Sequence, residues 1–343
     1  MMVLAVLFLL TGHSAAIAAE IGIIILPRDF SKLKVEDFIN AVNEVKQTGS
    51  SVNLTLLGGL ELEPSPGKFA VKEKLGGFNY MAKTLNSTTN YFGVSLINTT
   101  RRDISADLIT TPWTNPEMLE RFSGLLDKIQ MHLEVNPTQF LVGNEVDVYF
   151  ESHPDELASY LDFFKKARLL ILEKYPSAQV GMSVTFEGLK KNRAKIIRQI
   201  IEAGDAAFFT YYPLSVNEQS NPDYQQDIDE ILETAGGKQV FLQEIGYSTL
   251  PLSVTSDEKQ EEFFKFILPV IRQEPRITMA AIFAQHDIDP PMCQTLIKYY
   301  GFSKASGEFK SLFRDMICSL GLKTFDGKAK PAWNTVSRFL QSK

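Results

Sequence analysis

Cysteine, tryptophan and histidine are scarce in this chain of 343 residues, at two, two and four. Neither Cys293 nor Cys318 has neighbours at zinc-ligand spacing, which excludes a thiolate-built zinc module. An exported chain could join them in one disulfide; otherwise they are two buried thiols, and both readings stay open here. No glycine-rich phosphate turn follows any strand-like run, so nothing marks a nucleotide site. Basic residues form no patch: 35 Lys and Arg face 41 Asp and Glu, for a net charge of −6. Nucleic acid is thereby excluded as a partner. No apolar run is long enough to span a bilayer, so no integral membrane span is expected. No motif calls for a metal or organic cofactor.

The N-terminus opens with an apolar run, residues 2–10, too short for a membrane helix. Ala16-Ile17-Ala18 then fits an A-x-A cleavage site, although no Lys or Arg precedes the run. The expectation is a signal peptide over 1–18 and an exported chain, secreted or periplasmic, with one domain over 19–343 acting as a monomer. Asn53-Leu54-Thr55, Asn86-Ser87-Thr88 and Asn98-Thr99-Thr100 match the N-glycosylation pattern.

Beyond that segment the chain alternates. Apolar runs at 23–26, 52–57, 91–97, 139–145, 179–184, 207–212, 240–244 and 279–284 read as strands. Between them lie segments with helical spacing. Phe38, Ala41 and Val45 share one face, as do Met118, Phe122, Leu125 and Ile129 after an Asn115-Pro116-Glu117 start. A further helix is expected from Asp155, burying Leu157, Leu161, Phe164 and Ile171. The strands are apolar throughout rather than alternating, so they are buried on both faces and parallel. Eight strand–helix units without a linker predict an α/β fold, a single-domain (β/α)8 TIM barrel.

Two of these runs end in glutamate: Gln139-Phe140-Leu141-Val142-Gly143-Asn144-Glu145 and Val240-Phe241-Leu242-Gln243-Glu244. Catalytic groups of such barrels sit at the C-terminal ends of strands, and two carboxylates are what glycosidic bond cleavage requires. Here the chain resembles clan A of the glycoside hydrolases. Val142-Gly143-Asn144-Glu145-Val146 and Glu244-Ile245-Gly246-Tyr247 are similar to stretches of family 17 β-1,3-glucanases. Thr210-Tyr211-Tyr212-Pro213 is similar to that family and to family 53 endo-galactanases. The resemblance implies a retaining hydrolase of β-linked oligo- or polysaccharides, with Glu145 as general acid/base and Glu244 as nucleophile. It also implies that Asn144 bonds a sugar hydroxyl and that Tyr211 or Tyr212 orients Glu244; alternation lets only one of the two face the site. Two departures stand out. Many clan members carry an arginine after strand two, where this chain has Gly58-Gly59, and a tryptophan after strand eight, where it has Gln285-His286-Asp287.

Trp113, Tyr149 and Tyr247 follow strands and are candidate stacking faces for sugar rings; His286 is a candidate polar contact to substrate. Two rival readings remain: a carbohydrate-binding barrel that has lost catalysis, and a metal-dependent barrel using Glu145, Asp147 and His286.

Overall fold

The computed structural model describes residues 18–28, 30–213, 223–251, 255–302 and 306–342. The expected signal peptide, 1–18, lies outside the described residues up to position 17. Eight parallel strands carry the architecture: β1 Glu20–Ile23, β2 Val52–Gly58, β3 Thr89–Asn98, β4 Gln139–Asn144, β5 (Gln179–Gly181 and Ser183–Thr185), β6 Ala207–Tyr211, β7 Val240–Ile245 and β8 Ile277–Ile282. The helices that follow them are α1 Val35–Gln47, α2 Val71–Leu85, α3 Pro116–His132, α4 Leu157–Lys174, α5 Ala194–Ala203, α6 Tyr224–Thr234, α7 Asp257–Gln273 and α8 Pro331–Gln341. Start signals act as expected. Asn115 accepts the Glu117 N–H at 3.0 Å, with Pro116 at the first turn of α3.

The ladder runs in two arcs, β1-β8-β7-β6-β5 and β2-β3-β4-β5. They meet in β5, whose first half pairs with β4 and whose second half pairs with β6. On the opposite side β1 and β2 pack side by side without ladder pairing. There the Ile23 N–H reaches Ser50 Oγ at 3.1 Å, and a Cβ on Gly22 would lie 2.5 Å from Val52 Cβ. The chain thus has the (β/α)8 barrel fold.

Burial on both strand faces makes two cores. Val52, Tyr91, Leu141, Phe208, Phe241 and Met279 plug the barrel interior. Phe92, Val142, Phe209 and Leu242 point outward and pack under the helix faces carrying Phe78, Leu126, Phe164 and Phe264. α8 closes the helix ring between α7 and α1: Arg272 lies 3.6 Å over the Phe339 ring, and Gln341 donates to the Gln47 carbonyl.

Between β8 and α8 the chain makes two extra helices, Pro290–Tyr299 and Gly307–Cys318, joined by a Cys293–Cys318 disulfide. The bond closes a loop of 25 residues. Replacing both cysteines by serine is expected to cost about 3 kcal/mol in a denaturant titration, and an unchanged midpoint would show that the cross-link constrains nothing folding needs. No helix among the described residues is long and apolar enough to cross a membrane.

The three glycosylation sequons separate by burial. Asn53 is fully buried, donating to the Phe78 carbonyl and to Asn90. Asn98 is bonded within the barrel mouth, whereas Asn86 is exposed at the C-terminus of α2.

Candidate active site

β4 ends in backbone that few residues adopt. Gly143 has φ +107°, and a Cβ there would lie 2.6 Å from Val146 and 2.8 Å from the Tyr160 hydroxyl. Glu145 follows at φ 48°, ψ 43°, a left-handed conformation that costs a non-glycine residue about 1–2 kcal/mol. Three ties hold it. The Glu145 N–H donates to Ser183 Oγ at 2.9 Å. The Thr99 N–H donates to the Asn144 carbonyl at 2.9 Å. Fully buried Asp147 accepts from Thr185 N and Oγ1 at 2.9 and 2.7 Å and pairs with Arg193 at 3.2 Å. A helix, Val146–Ser152, begins directly after Glu145, ahead of the start expected at Asp155. Its Val146, Tyr149 and Phe150 are buried.

The carboxyl of Glu145 accepts one hydroxyl on each oxygen, Thr210 on Oε1 and Thr99 on Oε2, both at 2.8 Å. Glu244 reaches the mouth through a slip in β7. Phe209 pairs with Leu242 but Thr210 pairs with Glu244, so Gln243 has no partner residue on β6. Gln243 is fully buried and accepts the Tyr91 hydroxyl at 2.6 Å. Its amide donates to Asn144 Oδ1 at 2.8 Å and to Glu244 Oε1 at 3.3 Å. Tyr212 donates to Glu244 Oε2 at 2.6 Å. Asn144 also accepts from Ser183 at 2.9 Å and donates to Asn98 at 3.2 Å, which leaves one amide N–H for a ligand. One continuous network therefore joins the two glutamates.

Electrostatics couple them further. Burial, and then the charge on Glu145, pushes the Glu244 carboxyl up to about 7. Burial also raises Glu145, against the hydroxyls of Thr210 and Thr99. A charge on Glu145 thus opposes ionisation of the buried Glu244 beside it. Tyr212 and Tyr300 are raised by burial and then by these carboxylates, so both phenols stay protonated as donors.

Several expected contacts lie elsewhere. Tyr211 is buried and donates to Asp227 on α6, outside the barrel, so alternation gives the site Tyr212 alone. Trp113 is 1% exposed, set between Tyr160 and Phe163 with its Nε1–H on Glu156. It packs the barrel wall and offers no face to a sugar. Tyr149 is buried, its hydroxyl on Glu156. Tyr247 is buried too, stacked on Phe263 of α7. His286 is bonded through Nδ1 to the Leu26 carbonyl beyond β1. Asp147 and His286 are thus committed to different parts of the frame and do not converge with Glu145 on a metal. Among the described residues no three His, Cys, Asp or Glu side chains are grouped to hold an ion.

Sequence reasoning missed Thr99, Ser183, Thr210, Gln243 and Tyr300. Only Gln243, a polar residue within an apolar run, left a local signal. The two departures also acquire a structural content. A Cβ on Gly58 would lie 2.2 Å from Asp103 Oδ2, so a carboxylate fills the space over the end of β2. After β8, Phe283 packs edge-on to Tyr212, with ring centroids 6.4 Å apart.

No protein-family profile matches the chain, and no curated protein does. Solved structures do. A variant of GH5_18 from Streptomyces cattleya, in complex with Manβ1-4GlcNAc, matches with a TM-score of 0.67 at 14% identity, over 94% of this chain and 80% of that one. The exo-β-1,4-mannosidase Op5Man5 from Opitutaceae bacterium strain TAV5 matches at 0.69 and 15%, over 96% and 60%. A family 39 glycoside hydrolase from Bacteroides cellulosilyticus WH2 matches at 0.65 and 13%, over 95% and 64%. At this identity the likeness establishes the shared (β/α)8 fold.

Proposed function

We propose that this chain is a glycosidase that cleaves β-linked glycosides or polysaccharides by double displacement, with retention at the anomeric carbon. The observation that carries the reading is the pair Glu145 and Glu244, placed at the tips of β4 and β7 and joined through Asn144 and Gln243. The solved structures it resembles are glycoside hydrolases and a mannosidase, one holding a β-linked disaccharide.

The partners of each carboxyl assign the roles. Glu145 meets two threonine hydroxyls, which can donate to a carboxylate and accept from an acid. It can change protonation state without losing its hydrogen bonds, as a general acid/base must. Glu244 meets the Gln243 amide N–H, which only donates and favours the ionised form. Tyr212 holds its Oε2 closely, and Oε1 carries the longer bond, leaving Oε1 to attack the anomeric carbon. Protonation of Glu145 removes one of the two causes that raise Glu244 and so favours its ionised, nucleophilic form, while burial still opposes it. Glu145 then protonates the leaving oxygen as the glycosyl–Glu244 ester forms, and afterwards takes a proton from the water that cleaves that ester.

Turnover of a panel of aryl β-glycosides tests the reading. No turnover by folded protein would favour a carbohydrate-binding barrel, the alternative suggested by Gly58-Gly59 and by the missing tryptophan after β8. Stability gives a second check. Folding lifts Glu244 from the ordinary carboxyl range to about 7, so native protein holds a proton that the unfolded chain releases above a pH of about 4.3. Stability from this group is complete below that pH and is lost as pH rises through about 7. Glu244→Gln removes the loss. The variant is expected to exceed wild type by about 1–3 kcal/mol at alkaline pH and to converge with it in acid. Equal urea midpoints under alkaline conditions would show that Glu244 bears no desolvation cost.

A further inference from the structure

The segment between β8 and α8 is placed where it shapes what the site can hold. Its first helix starts at Asp289, which caps the Met292 N–H at 3.0 Å and also accepts the Ser31 N–H beyond β1 at 2.7 Å. The same helix ends at Tyr299, whose hydroxyl accepts from Asn98, the last residue of β3, at 3.0 Å and donates to Asp103 Oδ2, in the turn beyond it, at 2.7 Å. Arg101 lies 4.8 Å over the Tyr299 ring, and Thr100 donates to the Tyr300 carbonyl at 3.1 Å. The helix therefore crosses the mouth from β1 to β3. β2 lies beneath that crossing, and its tip is the side-chain-free Gly58 and Gly59, over which Asp103 is packed.

The second helix extends this rim the other way. Ser319, just beyond it, accepts the Leu250 N–H at 3.0 Å and the Thr249 N–H at 3.2 Å, after β7. The disulfide joins the two helices, and Tyr300 packs on Phe313 with centroids 5.9 Å apart. The covering thus runs from β7 past β8 and β1 to β3. Tyr300 stands at its inner edge, its carbonyl accepting from Thr100, the neighbour of the Thr99 that binds Glu145, and burial and then the charges of Glu145 and Glu244 raise its phenol. The anomeric carbon under attack must lie between those carboxyls. Asn98 and Thr100 flank the Thr99 that binds Glu145, and Asn98 also bonds Asn144, so the segment tied to them walls the space next to that carbon.

We propose that this disulfide-tied segment ends the sugar-binding cleft with Tyr299 and Tyr300, so that the site is a pocket for one non-reducing terminal sugar and the enzyme is exo-acting. The proposal rests on the glycosidase reading. Its test is the cleavage pattern of the whole protein on p-nitrophenyl β-monosaccharides, the matching β-linked disaccharides, and reducing-end-labelled hexaoses of glucose, mannose and galactose. For the sugar that is turned over, the labelled hexaose is expected to shorten one unit at a time, with monosaccharide the sole unlabelled product. Direct release of nitrophenol from the disaccharide should be about 10²-fold less efficient than from the monosaccharide, the upper range of what one pocket contact discriminates. Tyr300→Ala should narrow that ratio by about tenfold. If the variant fails to fold, the wild-type pattern decides alone. Internal fragments from the earliest time point, with both aryl substrates cut equally well, would overturn the pocket and leave the glycosidase reading intact. No turnover of any of these substrates would overturn the glycosidase reading beneath it.

Discussion

Glu244→Gln is expected to lower turnover of an aryl β-glycoside by about 10⁴–10⁶-fold, the scale on which loss of a nucleophile acts. Glutamine has the same shape, and its amide can keep company with Tyr212 and Gln243, the two partners that hold Glu244 now. What it lacks is an oxygen able to form the glycosyl ester. The loss should therefore fall on kcat while KM stays near the wild-type value, because the sugar contacts are untouched. A variant that kept more than about a hundredth of wild-type kcat, above what contaminating enzyme explains, would remove Glu244 from the nucleophile's role.

Glu145→Ala is expected to cost about 10²–10⁴-fold, the usual share of general acid–base catalysis. The loss should depend on the leaving group. A dinitrophenolate departs without a proton, so its first step should be nearly spared, whereas an alkyl or sugar leaving group should suffer in full. Deglycosylation then becomes limiting, since no carboxylate activates water. Azide, which needs no such activation, should restore rate and give a β-glycosyl azide. The space it needs is what alanine opens between the Thr99 and Thr210 hydroxyls, now occupied by the Glu145 carboxyl. Equal losses on all leaving groups, with no azide effect, would make Glu145 a structural residue held in its left-handed turn rather than a proton carrier.

Both glutamates were legible because a strand in such a barrel is an apolar run, and the residue that ends the run stands at the mouth. The two tyrosines were legible only as alternatives. Tyr211 and Tyr212 differ in which face of β6 they take, and Asp227 and Glu244 decide that from other elements. Trp113, Tyr149 and Tyr247 were misassigned for one physical reason: following a strand in sequence does not place a side chain over the barrel axis. Each turns outward to a polar or aromatic partner on the helix layer. The supporting network was out of reach because its partners are distant. Tyr91 and Gln243 are 152 residues apart, and the slip in β7 that turns Gln243 and Glu244 together leaves no mark in the apolar pattern. Tyr300, just beyond the first helix after β8, went unnoticed. The disulfide that ties that helix to the next was one of two open readings.

If Glu145 and Glu244 act in sequence on one anomeric carbon, the first product keeps the configuration of the substrate. Proton NMR of a fresh reaction on an aryl β-glycoside resolves the anomers before mutarotation mixes them. The β anomer is expected first, with the α form growing only at the mutarotation rate. Initial release of the α anomer would contradict double displacement, since that outcome requires a single displacement by water and leaves no covalent step for Glu244.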